Sequence, residues 1–217
     1  MKTDALELAP ARGDRPALTF QVGDHPALDF LNTTATVSGR RIDWLETGDD
    51  LLKWLVAMQS VDDSTAARFS RPACSEKLDA TVVEIVTLRE WFRELLADVK
   101  VQHKARLSPR QRQRLNSELL KAPDILRIDE TGGRLVLKSE KVLGAPGDLT
   151  GVIAGWIAEL LCDGDLTLIR LCESQDCTLW YYDRTKSHRR RWCSSAMCGN
   201  REKVAAHRAR KGSRKAS

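Results

Sequence analysis

Four of the six cysteines lie close together near the carboxyl end of this 217-residue chain. Cys172 and Cys177 enclose four residues, Cys193 and Cys198 enclose another four, and fifteen residues separate the two pairs. Two thiol pairs joined by a segment that can fold back are typical of a tetrahedral zinc site. A reducing compartment favours metal binding over the alternative, disulfide bonds. We therefore predict one structural zinc ion, because four thiolates would leave no open position for catalysis.

The remaining histidine and cysteine residues near or outside this cluster are weaker ligand candidates. His188 is the imidazole nearest to the cysteines, and we expect it to lie in a hairpin loop because four cysteines complete the ligand set. Cys74 and Cys162 stand alone in the sequence. A region of about 45 residues has too little core to fold unaided. We expect zinc to supply much of its folding free energy.

A cationic segment accompanies the cysteines. Residues 170–217 contain 13 Lys and Arg against 4 Asp and Glu, a net charge of +9, whereas residues 1–169 contain 22 against 26, a net charge of −4. A merely solvated helix is the alternative, but such a face usually carries both signs. Arg201 could also brace the metal-bound turn. We predict that the segment binds nucleic-acid phosphates through Arg189, Arg190, Arg191, Arg201, Lys203, Arg208, Arg210 and Lys211.

The aromatic residues could serve either binding or packing. Trp180, Tyr181 and Tyr182 follow the first cysteine pair and could stack on bases or form a small core. Four further tryptophans could line a pocket for a small-molecule effector or pack in a core: Trp44, Trp54, Trp91 and Trp156. In both groups core packing is the more ordinary role.

The sequence offers little for catalysis or membrane insertion. His25 and Asp29 are four residues apart on a predicted helix, but we expect Asp29 and Asn32 to make structural hydrogen bonds. Neither a glycine-rich phosphate loop nor a paired-histidine metal motif occurs. The most apolar stretch, residues 151–162, is twelve residues long, short of the roughly 20 that span a bilayer. We therefore predict a cytoplasmic protein that is not an enzyme.

The secondary structure predicted around the cysteines and in the rest of the chain indicates a mainly α fold of the α+β class. We expect an N-terminal arm at 1–23 with a short strand at 17–22, a helical domain at 24–165, a finger at 166–211 and a flexible basic tail at 212–217. Within the finger we expect a strand at 167–171, a hairpin of 178–182 with 189–192, and a helix from Gly199 whose alanine side packs inward.

Apolar periodicity and helix caps place the elements of the helical domain. The predicted helices lie near 26–33, 51–58, 75–103, 109–121 and 148–162, and residues 39–43 form a loop. The segment 125–138 predicts the domain's small β hairpin, with Gly132 and Gly133 at its turn.

Both parts of the chain resemble known families. The finger is similar to the CGNR zinc finger in Tyr182-Asp183-Arg184-Thr185, in Arg190-Arg191-Trp192-Cys193-Ser194 and in Cys198-Gly199-Asn200-Arg201-Glu202-Lys203, with Ser195 where that family often has Met. The helical domain resembles the ABATE domain that usually precedes this finger, in Leu28–Thr33 and in the helix around Leu51–Leu55. The resemblance implies a bacterial transcription regulator that binds zinc.

Three functions remain open at this point. The first is a regulator whose helical domain senses a signal or dimerises and whose finger contacts DNA; a homodimer would enlarge the small footprint of a single finger. The second is a protein–protein interaction module with a structural zinc ion. The third is an RNA-binding protein.

Overall fold

The computed structural model describes residues 21–37, 39–102 and 107–215. The α-helices in these ranges are α1 (Pro26–Leu31), α2 (Gly48–Ala57), α3 (Asp63–Phe69), α4 (Ser75–Gln102), α5 (Pro109–Leu119), α6 (Leu149–Asp163) and α7 (Asn200–Lys215). The strands are β1 (Thr34–Val37), β2 (Arg40–Asp43), β3 (Asp124–Thr131), β4 (Arg134–Lys141), β5 (Ile169–Leu171) and β6 (Trp180–Tyr182). The predicted mainly helical α+β fold is confirmed. Most of the predicted arm, with the strand at 17–22, lies outside the described residues.

The chain folds as two compact units. Leu45–Leu166 forms one of them, the helical unit. The described residues up to Trp44 join those from Thr167 onward in the other, which we call the cysteine unit. Residues 24–44, which were predicted to belong to the helical domain, therefore pack with the finger.

The long helix α4 forms the centre of the helical unit. Its predicted apolar stripe is buried: Leu78, Val82, Ile85, Leu88, Phe92, Leu95 and Val99. Helix α6 approaches the end of α5 closely, because a Cβ on Gly151 would lie only 2.5 Å from the backbone nitrogen of Ala122. Trp54 and Trp156 meet edge to face with ring centroids 5.6 Å apart, an arrangement typical of core aromatics.

The predicted β3–β4 hairpin forms with its turn at Gly132 and Gly133. One face carries four exposed apolar side chains, which share a face by the strand register: Leu126, Ile128, Leu135 and Leu137. The opposite face carries cross-strand ion pairs, among them Lys138 with Asp129 at 2.5 Å.

The strands of the cysteine unit differ from the prediction in two places. Residues 40–43, expected to form a loop, make strand β2, which pairs antiparallel with β1 and buries Ile42 opposite Ala35. Strand β6 pairs with β5, not with 189–192. The predicted hairpin of 178–182 with 189–192 was wrong because side chains bind the backbone of Arg190. Asp183 accepts the Arg190 N–H at 3.0 Å, and the Tyr181 hydroxyl donates to the Arg190 carbonyl at 2.6 Å.

Two features of the helices complete the fold. Helix α7 continues to Lys215, so the tail predicted to be flexible from residue 212 is mostly helical. Arg, Lys and Ala favour helix strongly enough for the segment to tolerate Gly212, whose cost is about 1 kcal/mol. Among the described residues, no helix is both long and apolar enough to cross a membrane.

Candidate metal centre

Four thiol sulfurs from two turns converge in the cysteine unit. Cys172 follows β5, and Cys177 closes a turn in which its N–H donates to the Ser174 carbonyl at 3.1 Å. Cys198 lies in a π-helical turn, Ser195–Gly199, which follows Cys193 and leads into α7. Both turns therefore bring their thiols to one point, although the sequence separates the two pairs.

The sulfur positions fit a tetrahedral ion. All four Sγ atoms are buried and lie within 4.8 Å of one another. The Cys177–Cys193 and Cys193–Cys198 Sγ separations are 3.8 and 3.5 Å; zinc–sulfur bonds of ~2.3 Å in a tetrahedron require about 3.8 Å. His188 does not join the group, because its ring Nδ1 lies 3.1 Å from the carbonyl oxygen of Asp183.

The close spacing of four buried thiols favours a cation among them. The hydrogen bond with Cys177 lowers the pKa of Cys172, whereas the hydrogen bond with Cys172 raises the pKa of Cys177 to about 12 and also raises that of Cys193. Without a positive charge among them, buried neighbouring thiols cannot all ionise. A zinc ion replaces these protons, and the four cysteines are suited to bind one.

The first turn of α7 is fastened to the first cysteine turn. Arg201 donates to the Cys198 sulfur at 3.3 Å and to the Ser174 hydroxyl at 3.0 Å. Ser174 also donates to the Glu202 carboxylate at 2.7 Å. The Arg201 guanidinium offsets negative charge on a metal-bound thiolate, a role that such outer groups commonly have. Arg201 therefore braces the metal centre.

Arg190 likewise points into its own unit. Its guanidinium donates to the carbonyl oxygens of Trp192 and Cys193 and to the Asp24 carboxylate. It also stacks over the Tyr181 ring, 4.3 Å from the ring centroid. These contacts join the segment before α1 to the second cysteine turn.

The polar atoms of β6 are satisfied along both edges. On the edge that faces β5, the Leu179 carbonyl accepts the Cys172 N–H, and the Asp183 N–H donates to the Leu168 carbonyl. On the other edge, three successive alternate residues bond to the N-terminal segment. The Tyr182 N–H donates to Gly23, the backbone of Trp180 bonds to the Asn32 side chain, and the Thr178 N–H donates to Thr36.

The N-terminal and C-terminal segments of the cysteine unit also share one apolar core. Ala35, Ile42 and Trp44 are buried in the same cluster as the four cysteines, Leu179 and Tyr181. Trp180 is buried as well. Of the aromatic residues that could stack on bases or form a small core, Trp180 and Tyr181 are therefore core residues.

Asp29 holds the start of this N-terminal segment. Its carboxylate accepts the Gly23 N–H at 2.9 Å, and a Cβ on Gly23 would lie 2.7 Å from the Asp29 nitrogen. Burial raises the pKa of Asp29 to about 7, aided by the nearby charge of Asp24 and opposed by the Gly23 hydrogen bond. His25 makes a different contact, since its Nδ1 accepts the Ala27 N–H at the start of α1.

We expect the Asp29→Asn variant to lose a pH dependence of stability. The folded-state pKa of Asp29 is about 7 against 3.8 for the ordinary group, so the folded protein binds an extra proton between these values. Stability of the unsubstituted protein therefore falls as pH rises through this window, by up to about 1.4 kcal/mol per unit. Asparagine cannot ionise and still accepts the Gly23 N–H. Urea unfolding from pH 5 to pH 8 measures the difference in unfolding free energy between the variant and the unsubstituted protein, which should grow in favour of the variant up to about pH 7. A difference that does not depend on pH would contradict this assignment.

The predicted phosphate-contacting residues divide into several groups. Arg189, Lys203, Arg208 and Lys211 are exposed. Arg191 is exposed but donates to Glu173 at 2.6 Å, and Arg190 and Arg201 are half-buried in the contacts above. The side chain of Arg210 lies outside the described residues.

The described side chains of helix α7 are exposed after its first turn. Each side chain from Lys203 to Arg208 is exposed, including Ala205 and Ala206, which were predicted to pack inward together with Ala209. The side chain of Ala209 lies outside the described residues. That expectation was wrong for Ala205 and Ala206 because Arg201 and Glu202 anchor the helix through its first turn. A cleft of about 350 Å³ beside this turn carries both charge signs; its lining is Glu173, Arg191, Trp192, Glu202, Lys203 and Ala206.

A four-cysteine zinc site that anchors a cationic helix defines a zinc-finger protein. Residues 169–211 match the family model of the CGNR zinc finger. Residues 24–164 match the ABATE model, "Putative stress-induced transcription regulator", and the chain belongs to that family. No curated protein matches the chain. The family resemblance, the zinc ion and the order of the two parts are thereby confirmed.

Proposed function

We propose that the chain is a nucleic-acid-binding transcription regulator of a reducing cytoplasm, and that α7 is its main contact with DNA. The observation that carries the proposal is the exposed cationic helix held at one end by the metal centre. A B-DNA major groove admits an α-helix, and α7 presents exposed cations while its first turn is bound to its own unit.

The charge of α7 favours phosphate contacts over a neutral protein surface. From Lys203 onward the described exposed side chains include Lys203, Arg208 and Lys211, and the acidic residue of the helix, Glu202, is engaged by Ser174. Lys and Arg that neutralise phosphates release counterions, which makes binding strongly salt-dependent. Arg189 adds an exposed cation on the segment before the second cysteine pair.

Neutralising the exposed cations of α7 should reduce the salt dependence of DNA binding. In the variant Lys203→Ala, Arg208→Ala, Lys211→Ala the slope of log affinity against log salt should shrink by up to about 2.7, because each lost phosphate contact removes ~0.9. Alanine keeps the helix, since it has the highest helix propensity. Fluorescence anisotropy of the full zinc-loaded chain with a short duplex, titrated at several salt concentrations, measures the slope.

The matched control removes three exposed cations from the helical unit: Arg71→Ala, Lys77→Ala and Arg110→Ala. This control should keep the original slope. A flat salt response of the unsubstituted protein would overturn the proposal. The same titration with single-stranded RNA, and with an acidic polypeptide, distinguishes DNA binding from the two alternative functions.

A further inference from the structure

The β1–β2 hairpin presents two arginines that the family signature does not include. Arg40 and Arg41 follow the turn at Gly39, whose φ of 77° a glycine adopts without strain. Both side chains are exposed. Among the described residues, no acidic side chain forms an ion pair with either of them. Their charges are thus available to an external anion.

This hairpin is hydrogen-bonded to Thr178, the residue that follows the ligand Cys177. The Thr178 N–H donates to the Thr36 carbonyl at 3.2 Å, and the Thr36 N–H donates to the Thr178 hydroxyl at 2.8 Å. Thr36 is paired across the hairpin with Arg41. Arg41 therefore lies on the strand next to the one that contacts Thr178, which directly follows the ligand Cys177.

Helix α7 contacts the same loop from its own side. Arg201 and Glu202 bond to Ser174, between Cys172 and Cys177. The hairpin and α7 thus both lie against the loop from Cys172 to Thr178, the hairpin at its end and the helix at its middle. Because the shared core also contains Ala35 and Ile42, the hairpin is held rigidly in the unit.

We propose that Arg40 and Arg41 form a second phosphate-binding part of the surface that α7 begins. The ligand is the sugar–phosphate backbone of a nucleic acid, which meets cations on both elements. The inference rests on the proposed function. It makes the binding surface discontinuous in sequence, with contributions from both family-matched parts of the chain.

The test compares the salt titration of DNA binding by the full zinc-loaded chain with the same titration of the variant Arg40→Ala, Arg41→Ala. For duplex DNA, the slope of log affinity against log salt should shrink by up to about 1.8 in the variant. Raising the salt from about 50 to 200 mM should then reduce the variant's affinity by a factor roughly tenfold smaller than for the unsubstituted chain. The control variant, Arg110→Ala with Arg134→Ala, removes the same charge from the helical unit. Arg134 is well matched to Arg40 because it directly follows the Gly132–Gly133 turn of the other exposed hairpin. One zinc ion per chain in both variants shows that the metal centre is intact.

The outcomes separate this inference from the proposed function. A smaller slope for the hairpin variant alone supports the inference. An unchanged slope for that variant, while the α7 variant loses slope, overturns the inference and leaves the proposed function standing. An equal loss in the Arg110 and Arg134 control also overturns it, because net charge would then explain the effect. A flat response of the unsubstituted chain overturns both.

Discussion

Replacing Cys177 by serine should abolish zinc binding and unfold the cysteine unit while the helical unit keeps its structure. The four sulfurs are buried in the core of their unit, and zinc binding to such sites contributes about 10–16 kcal/mol of folding free energy in small zinc domains. The helical unit has its own core around α4 and needs no cysteine ligand. Metal analysis and two-dimensional NMR of the full chain measure zinc content and the order of each unit.

The chain offers a matched control for this substitution. Cys74 and Cys162 lie in the helical unit, outside the cluster, so Cys74→Ser and Cys162→Ser should retain one zinc ion per chain. Removing zinc with a strong chelator should reproduce the Cys177→Ser spectrum. A Cys177→Ser protein that still binds one zinc ion with undiminished affinity would refute the four-cysteine ligand set.

Replacing Asn32 by leucine should weaken zinc binding, although Asn32 is 140 residues before the first ligand. Its side chain accepts the Trp180 N–H and donates to the Trp180 carbonyl, both at 2.8 Å in a buried position. Leucine has a similar volume but leaves both backbone groups unsatisfied, at about 1–3 kcal/mol each. Because folding of the unit and metal binding are coupled, zinc affinity should fall at least tenfold in a chelator competition.

The control for this variant is Asn116→Leu, since Asn116 is an exposed residue of α5 in the helical unit. Its zinc affinity should equal that of the unsubstituted protein. If Asn32→Leu also binds zinc normally, the N-terminal segment contributes nothing to the metal centre and the hydrogen bonds along β6 are dispensable.

The ligands could be predicted from sequence because their chemistry is local. Each cysteine pair is closed by a short turn, so spacing alone identifies the four thiols. The long helices were predicted for the same reason: the stripe from Leu78 to Val99 follows the helix period and is buried as expected.

The partners of β6 could not be predicted in this way. Residues 189–192 were predicted as the second strand of a hairpin, but Asp183 accepts the Arg190 N–H. Burial would raise the pKa of Asp183, yet hydrogen bonds from Thr185 and Arg190 lower it. The role of the N-terminal segment depends on contacts such as that between Asn32 and Trp180, which are 148 residues apart. Short-range patterns do not encode such pairings.

The joining of distant segments in the cysteine unit has a consequence for synthesis on the ribosome. Residues 24–44 are synthesised before the cysteines, and Trp180 follows Asn32 by 148 residues, a delay of roughly 7–30 s at typical translation rates of about 5–20 residues per second. The helical unit can complete its core during this interval. Ala35, Ile42 and Trp44 can complete their core only with the cysteines, so the metal is captured only after Cys198 has been synthesised.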